Sequence, residues 1–225
     1  MSDNLTAEEV RAKYVSAMPE PLGEVFYELQ NELTWLHIKW KDFLRLFGTD
    51  QETVDLLNEA APAFAHNLQR MMWEDVLLHL CRLTDRSRLA GKDTLTILRI
   101  AELIPDSETR ERVEALVGES VKKVAFARKW RNRRLAHREL PPNAGGNAKA
   151  LAPGSRAQVE AALASIGNTL NTVERRYMNS TVAYEHSIPS LGGVESLLSC
   201  LRDGVEVRRA ELERLRGGCG ERVDC

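Results

Sequence analysis

Four arginines and one histidine stand within the ten residues Trp130 to Glu139, WRNRRLAHRE, in a chain whose formal net charge is only -2. These side chains suit proton transfer beside an anion. An imidazole titrates near neutrality, so His137 can give or take a proton. An arginine such as Arg131 stays charged and presents a fork matched to phosphate oxygens. The wider window Val121 to Arg138 holds Lys122, Lys123, Arg128, Lys129, Arg131, Arg133, Arg134 and Arg138 and no acid, which leaves the rest of the chain distinctly acidic. A local basic patch on an acidic body points to a local polyanionic ligand, not to a protein that coats nucleic acid. The alternative is a solvated helix face whose bases pair with acids on neighbouring helices.

A second polar set lies in Met71 to Arg86, MMWEDVLLHLCRLTDR. Met72, Val76, Leu80 and Leu83 make an apolar stripe, and Asp75, His79, Arg82 and then Asp85 or Arg86 recur beside it at helical spacing. Polar groups on so apolar a helix need partners where they are buried. Either they form a salt-bridge ladder tying two helices, or they orient Arg131 and His137, with Asp75 or Asp85 facing the arginine. His79 has no HExxH set around it, and His37, His66 and His186 belong to no constellation. Lys92 follows Gly91, but GKD lacks the rest of a phosphate-binding loop, so Lys92 is at most a lone contact to the polyanion. Cys81, Cys200, Cys219 and Cys225 form neither a CxxC pair nor a Cys/His zinc spacing, so free thiols and no metal or other cofactor are expected.

The elements that must position these groups read as helices, which predicts an all-α fold. From Leu22 to Phe47 the residues Phe26, Leu29, Leu33, Leu36, Trp40, Phe43 and Phe47 recur at alternating spacings of three and four, a bundle seam. Gly48 ends that helix, and Thr49 with Glu52 offers a capping box for the next. Asp50 to about Leu89 reads as helix with a break near Pro62. Arg88 to Lys92 reads as a connection, and Asp93 as the cap of a short helix ending near Pro105. A further helix from about Ser107 carries Val113, Leu116, Val117, Val121, Val124 and Ala127 towards the basic stretch and ends before Pro141. Leu140 to Gly154 has the composition of a loop. Ser155 and Gln158 form another capping box, ahead of a second seam of Val159, Leu163, Ile166, Leu170, Val173 and Tyr177. Asn179 to Ser190 is irregular, and a charged helix runs from about Val194 to Leu215. The domain reading is an N-terminal helical arm over 1–20, a bundle of long antiparallel helices over 21–187, and a charged C-terminal helix with a flexible tail over 188–225.

Hydrophobic residues make up 43% and charged residues 28%, which argues against disorder and against a membrane protein. There is no apolar run long enough to span a bilayer and no basic-then-apolar leader, so the expected location is the cytoplasm.

The arrangement Arg131-Asn132, four residues, His137 fits the Arg-x(4 to 6)-His pattern of the HEPN superfamily, with a polar residue after the arginine. The blocks WEDVLLHLCRLTD (73–85), GKDTLTILRI (91–100), ARKWRNRRLAHRE (127–139), SRAQVEAAL (155–163) and STVAYE (180–185) occur in the order seen in one branch of that superfamily. On these residues the chain resembles the AbiU-type, second-component branch of abortive-infection HEPN proteins. The resemblance implies a HEPN-like helical bundle that homodimerises and brings two Arg/His motifs into one cleft. It implies a metal-independent endoribonuclease of a phage-defence or toxin–antitoxin system, with RNA as substrate and a partner protein encoded in the same system. Carried onto this chain, Arg131, Asn132 and His137 are the catalytic set, and Arg128, Lys129, Arg133, Arg134 and Arg138 are RNA contacts. One departure is visible. HEPN toxins controlled by a nucleotidyltransferase carry a tyrosine two positions after the motif histidine, where this chain has Glu139.

On an ideal α-helix Arg131 and His137 lie about 120° apart, whereas Arg133 and Arg134 neighbour His137. Spacing therefore favours Arg133 and the family pattern favours Arg131. Either the motif straddles a helix end or kink, or the working pair forms across a dimer two-fold, or another arginine works. Two functions follow: a ribonuclease, or a non-catalytic HEPN module that binds RNA, a nucleotide or a protein partner.

Overall fold

The computed structural model describes residues 5–48, 50–135, 154–188 and 192–218. The fold is all-α, as the periodicity predicts. Helix α1 (Ala7–Ala17) opens with a capping box in which Thr6 and Glu9 satisfy each other's backbone N–H groups. Helix α2 (Leu22–Phe47) follows a cis Glu20-Pro21 bond. Its seam is real: Phe26, Leu29, Leu33 and Leu36 are fully buried and Trp40 nearly so.

The next cap differs from expectation. Asp50 is the N-cap of α3 (Gln51–Ala60), its carboxylate accepting from the Thr53 N–H at 2.6 Å, and Thr49 lies outside the described residues. Pro62 then starts α4 (Pro62–Leu83), at the one helical position where a missing N–H costs nothing. Helix α4 stops at Leu83, not near Leu89, because the chain turns into a small antiparallel hairpin, β1 (Arg88–Leu89) and β2 (Lys92–Asp93). Ala90 and Gly91 join the strands, both at positive φ, as a two-residue hairpin turn requires. Asp93 is therefore a strand residue, and Thr96 caps α5 (Ile97–Leu103) through its bond from the Leu98 N–H.

Asp106 caps α6 (Ser107–Lys123). The single helix expected through the basic stretch is in fact three pieces. Val124 breaks the ladder, α7 (Ala125–Trp130) follows, and Arg131–Leu135 form a π-helical turn. Helix α8 (Arg156–Met178) begins with the Ser155/Gln158 capping box and ends at Asn179 in the left-handed region. A 3-10 turn (Tyr184–His186) precedes α9 (Val194–Gly218). Among the described residues no helix is long and apolar enough to cross a membrane.

The chain divides into two compact units, Met1–His37 with Glu74–Ser187, and Ile38–Trp73 with Ile188–Cys225. In the first, α6 packs along α8, and α5 packs on both. Its buried residues include Val76, Leu77, Leu80, Ile100, Val113, Val159, Ile166, Leu170 and Val173. In the second, α3 packs on α9 around Leu46, Leu57, Ala65 and Leu198. Ion pairs Arg45–Glu195 and Arg209–Glu59 border that core, and Trp40 stacks on Phe43, with Trp73 tilted against both.

Candidate functional site

The break at Val124 and the short α7 carry the basic motif to the C-terminal end of α4. Thr84 and Asp85 follow the last residue of that helix, where unpaired carbonyls concentrate negative potential. An aspartate there is unfavourable unless cations face it. Two do: Arg131 Nη1 lies 2.6 Å from Asp85 Oδ2, and Arg128 Nε lies 3.7 Å from Oδ1.

The two arginines are used differently. Arg128 donates from Nη2 to both the carbonyl and the hydroxyl of Thr84, and from Nη1 to the Val121 carbonyl at 3.1 Å. It thus closes the end of α4 onto the end of α6. Thr84 in turn donates its hydroxyl to the Leu80 carbonyl at 2.8 Å. Arg128, expected as an RNA contact, makes these three bonds within the fold. Arg131 donates from Nη1 to Asp85 at 2.6 Å and from Nε to the Asn132 side-chain oxygen at 3.3 Å. Of the five N–H groups of a guanidinium, three remain outside these bonds, on a side chain that is 27% exposed. Asn132 and Lys129 are exposed and Arg133 is half-buried.

The π-turn bears on the motif's geometry. Its hydrogen bonds close from i to i+5, so each residue turns through a smaller angle than in an α-helix. The 120° separation of an ideal helix therefore does not apply from Arg131 to Leu135. His137 and Arg138, and the side chain of Arg134, lie outside the described residues.

Of the polar ladder on α4, Asp85 faces the arginines and the middle members do not. The His79 Nε2 atom sits 2.8 Å from Glu32 Oε2 on α2, and Arg82 Nη2 is 3.6 Å from the same oxygen. That pair forms the inter-helix ladder, with His79 only 2% exposed. Asp75 is half-buried on the same helix. The neighbouring Cys81 is fully buried, and burial pushes its thiol up to about 11 against the pull of Arg131 and Arg128. It is therefore an inert thiol at neutral pH. Among the described residues no group of three His, Cys, Asp or Glu side chains is arranged to hold a metal ion.

Two features were not read from the sequence. Thr84 receives the Arg128 guanidinium, and its only signal was a polar Thr-Asp pair at the end of an apolar helix. The π-turn has no signature in residue type. A sequence model of the HEPN class, described as AbiU2, matches residues 19–193. No curated protein and no solved structure matches the chain.

Proposed function

The chain belongs to the AbiU2 family of abortive-infection HEPN proteins, and from that premise we propose that it is a metal-independent endoribonuclease of a multi-protein phage-defence system, working as a homodimer. The catalytic set is Arg131, Asn132 and His137. In the proposed reaction the 2′-hydroxyl of RNA attacks the adjacent phosphorus, the bond to the 5′-oxygen breaks, and a 2′,3′-cyclic phosphate and a 5′-hydroxyl result. His137 moves a proton, taking it from the 2′-hydroxyl or giving it to the leaving oxygen. Arg131 stabilises the charge that builds on the phosphoryl oxygens. Asn132 braces Arg131 through its side-chain oxygen. Lys129, Arg133, Arg134 and Arg138 hold the RNA backbone.

The observation that carries this reading is the Arg131–Asp85 pair. It fixes the motif arginine and leaves three of its N–H groups for phosphate. The test is to incubate the purified chain and a His137→Ala variant with mixed RNA in EDTA and analyse the fragment ends. Cyclic phosphates produced by the wild type and not by the variant are the expected result. Absence of cleavage by the wild type at high protein concentration overturns the catalytic reading.

A second reading rests on the same contacts. Arg128 and Arg131 both face Asp85, so part of the basic window is neutralised within the fold. That favours a non-catalytic module in which the motif serves architecture and the surface binds RNA or a partner protein. RNA binding without cleavage, undiminished by His137→Ala, is the outcome specific to it.

A further inference from the structure

Away from the Arg131 motif, α6 and α8 enclose a groove of about 370 Å³, within the size range of small-molecule sites. The two helices run antiparallel. Ser120 meets Ser165 and Thr169 at one end, and Asp106 faces Arg176 at the other. The groove lies towards the Asp106 end. Arg112 on α6 and Arg175 on α8 both line it, with Ala115 and Leu116 as an apolar strip and Asn168 and Thr172 opposite.

The pairing of the arginines in this region separates two kinds. Hydrogen bonds from Thr109, with smaller contributions from Arg176 and Arg110, hold the Asp106 carboxyl below the ordinary carboxylate range. Arg112 and Arg175 have no carboxylate partner among the described residues, and no acid lines the groove. Thr172 donates its hydroxyl to the Asn168 carbonyl, and Asn171 binds both backbone groups of Val182. Among the described residues the Asn168 amide has no hydrogen-bond partner. Two guanidinium groups without a partner among the described residues, an amide and an apolar strip line one concavity. Guanidinium forks match phosphate oxygens, and the strip suits an attached apolar body.

We propose that this groove binds a small phosphomonoester that carries an apolar or aromatic body, with Arg112 and Arg175 on the phosphate and Asn168 on the body. A polynucleotide fits less well. Glu108 stands one turn before Arg112 and Glu119 one turn beyond Leu116, both exposed, so a continuous phosphate chain along α6 would meet carboxylates at both ends. The site does not depend on the ribonuclease reading, because it contains no residue of the Arg131 motif.

The experiment is isothermal titration of the full chain at low salt with AMP, phenyl phosphate and inorganic phosphate, in the wild type and in Arg112→Gln, Arg175→Gln, Thr172→Glu and Arg131→Gln variants. The expected result is that AMP or phenyl phosphate binds at least about tenfold more tightly than inorganic phosphate. Each groove substitution should weaken binding by about tenfold or more, and Arg131→Gln should leave it unchanged. Thr172→Glu blocks the groove while keeping both arginines, so it distinguishes lost binding from a disturbed fold. Equal affinity for all three probes, no heat from any of them at millimolar concentration, or loss of binding only in Arg131→Gln overturns the proposal. So does a short RNA that binds the wild type and loses affinity in the Arg112 and Arg175 variants while AMP does not bind.

Discussion

Replacing Asp85 by Asn keeps the side chain's shape and removes the charge that faces Arg131 at 2.6 Å and Arg128 at 3.7 Å. Two unit charges about 4 Å apart interact by about 4 kcal/mol at an effective dielectric of about 20. That is an upper limit here, since Arg131 and Asp85 are 27% and 30% exposed and fully exposed pairs contribute only about 0.2–1 kcal/mol. A hydrogen bond to a charged group contributes about 1.5–3 kcal/mol, and Asn retains part of it through its amide oxygen, which leaves a loss of about 1–2 kcal/mol. For a chain of this length that lowers Tm by about 2–8 °C. If the pair positions Arg131 for the transition state, the same energy appears as a fall in kcat of about 5- to 30-fold with KM near the wild-type value. The assays are thermal denaturation and initial rates on a fluorogenic RNA over a range of substrate concentrations. A variant that loses stability by this amount and keeps the wild-type kcat shows that the pair only ties the π-turn to the segment after α4. A variant unchanged in both refutes the energetic argument itself.

Gly23→Ala should destabilise the chain by about 1–3 kcal/mol, because the added Cβ would meet the Tyr14 carbonyl oxygen and Val15 Cα at 2.7 Å. Gly118→Ala, with nothing within 4 Å of the new atom, should instead stabilise by about 0.5–1 kcal/mol, and denaturant melts showing the same sign for both would contradict the packing. Burial and then Glu174 push the Tyr14 phenol from 10.0 up to about 12, and burial pushes the Cys81 thiol from 9.0 to about 11. Both are held neutral in the fold, so their contribution is complete below the ordinary values and is lost as pH rises through about 9 to 12; urea midpoints that stay flat across that window would disprove it. In the basic window Arg128 and Arg131 face Asp85 and Lys123 faces Glu119. The log-log salt slope of single-stranded RNA binding should therefore be shallower than the roughly -5.6 that all eight bases would give, and a slope at that value would show that those ion pairs open on binding.

The long helices were legible because burial imposes a period. Phe26, Leu29, Leu33 and Leu36 are spaced by the helical turn, and each is fully buried. Val159, Ile166, Leu170 and Val173 show the same for α8. Ser155 with Gln158 was readable because both halves of that box lie in the sequence. The cap of α3 was harder. Thr49 and Asp50 are adjacent, each can accept from a backbone N–H in the first turn, and only the path of the chain selects Asp50. The hairpin was hidden for a different reason: strands of two residues are too short to show alternation, and its one signal is a glycine in the turn. At Val124 no proline or glycine marks the break, and apolar periodicity continues on both sides. The ladder Asp75, His79, Arg82, Asp85 was visible as a set, but which carboxylate meets an arginine depends on where α4 ends. The helix stops at Leu83, so Asp85 leaves the helical face and reaches the arginines.

The same end of α4 explains why basic residues gather where they do. Asp85 lies beyond a helix C-terminus, the least favourable position for a negative charge. Arg128 offsets that by closing on the Thr84 carbonyl, and Arg131 by pairing with the carboxylate. Both the catalytic and the architectural reading require these contacts, so destabilisation by Asp85→Asn favours neither. What separates them is the part of Arg131 that the fold leaves unengaged. An arginine that served architecture only would gain from turning its remaining N–H groups onto nearby carbonyls, as Arg128 does onto Thr84 and Val121. Arg131 instead makes one bond to Asp85 and one to the exposed Asn132, and directs no described bond to a backbone carbonyl. That incomplete engagement, three residues along from Arg128, leaves Arg131 with N–H groups for the phosphate contact proposed above.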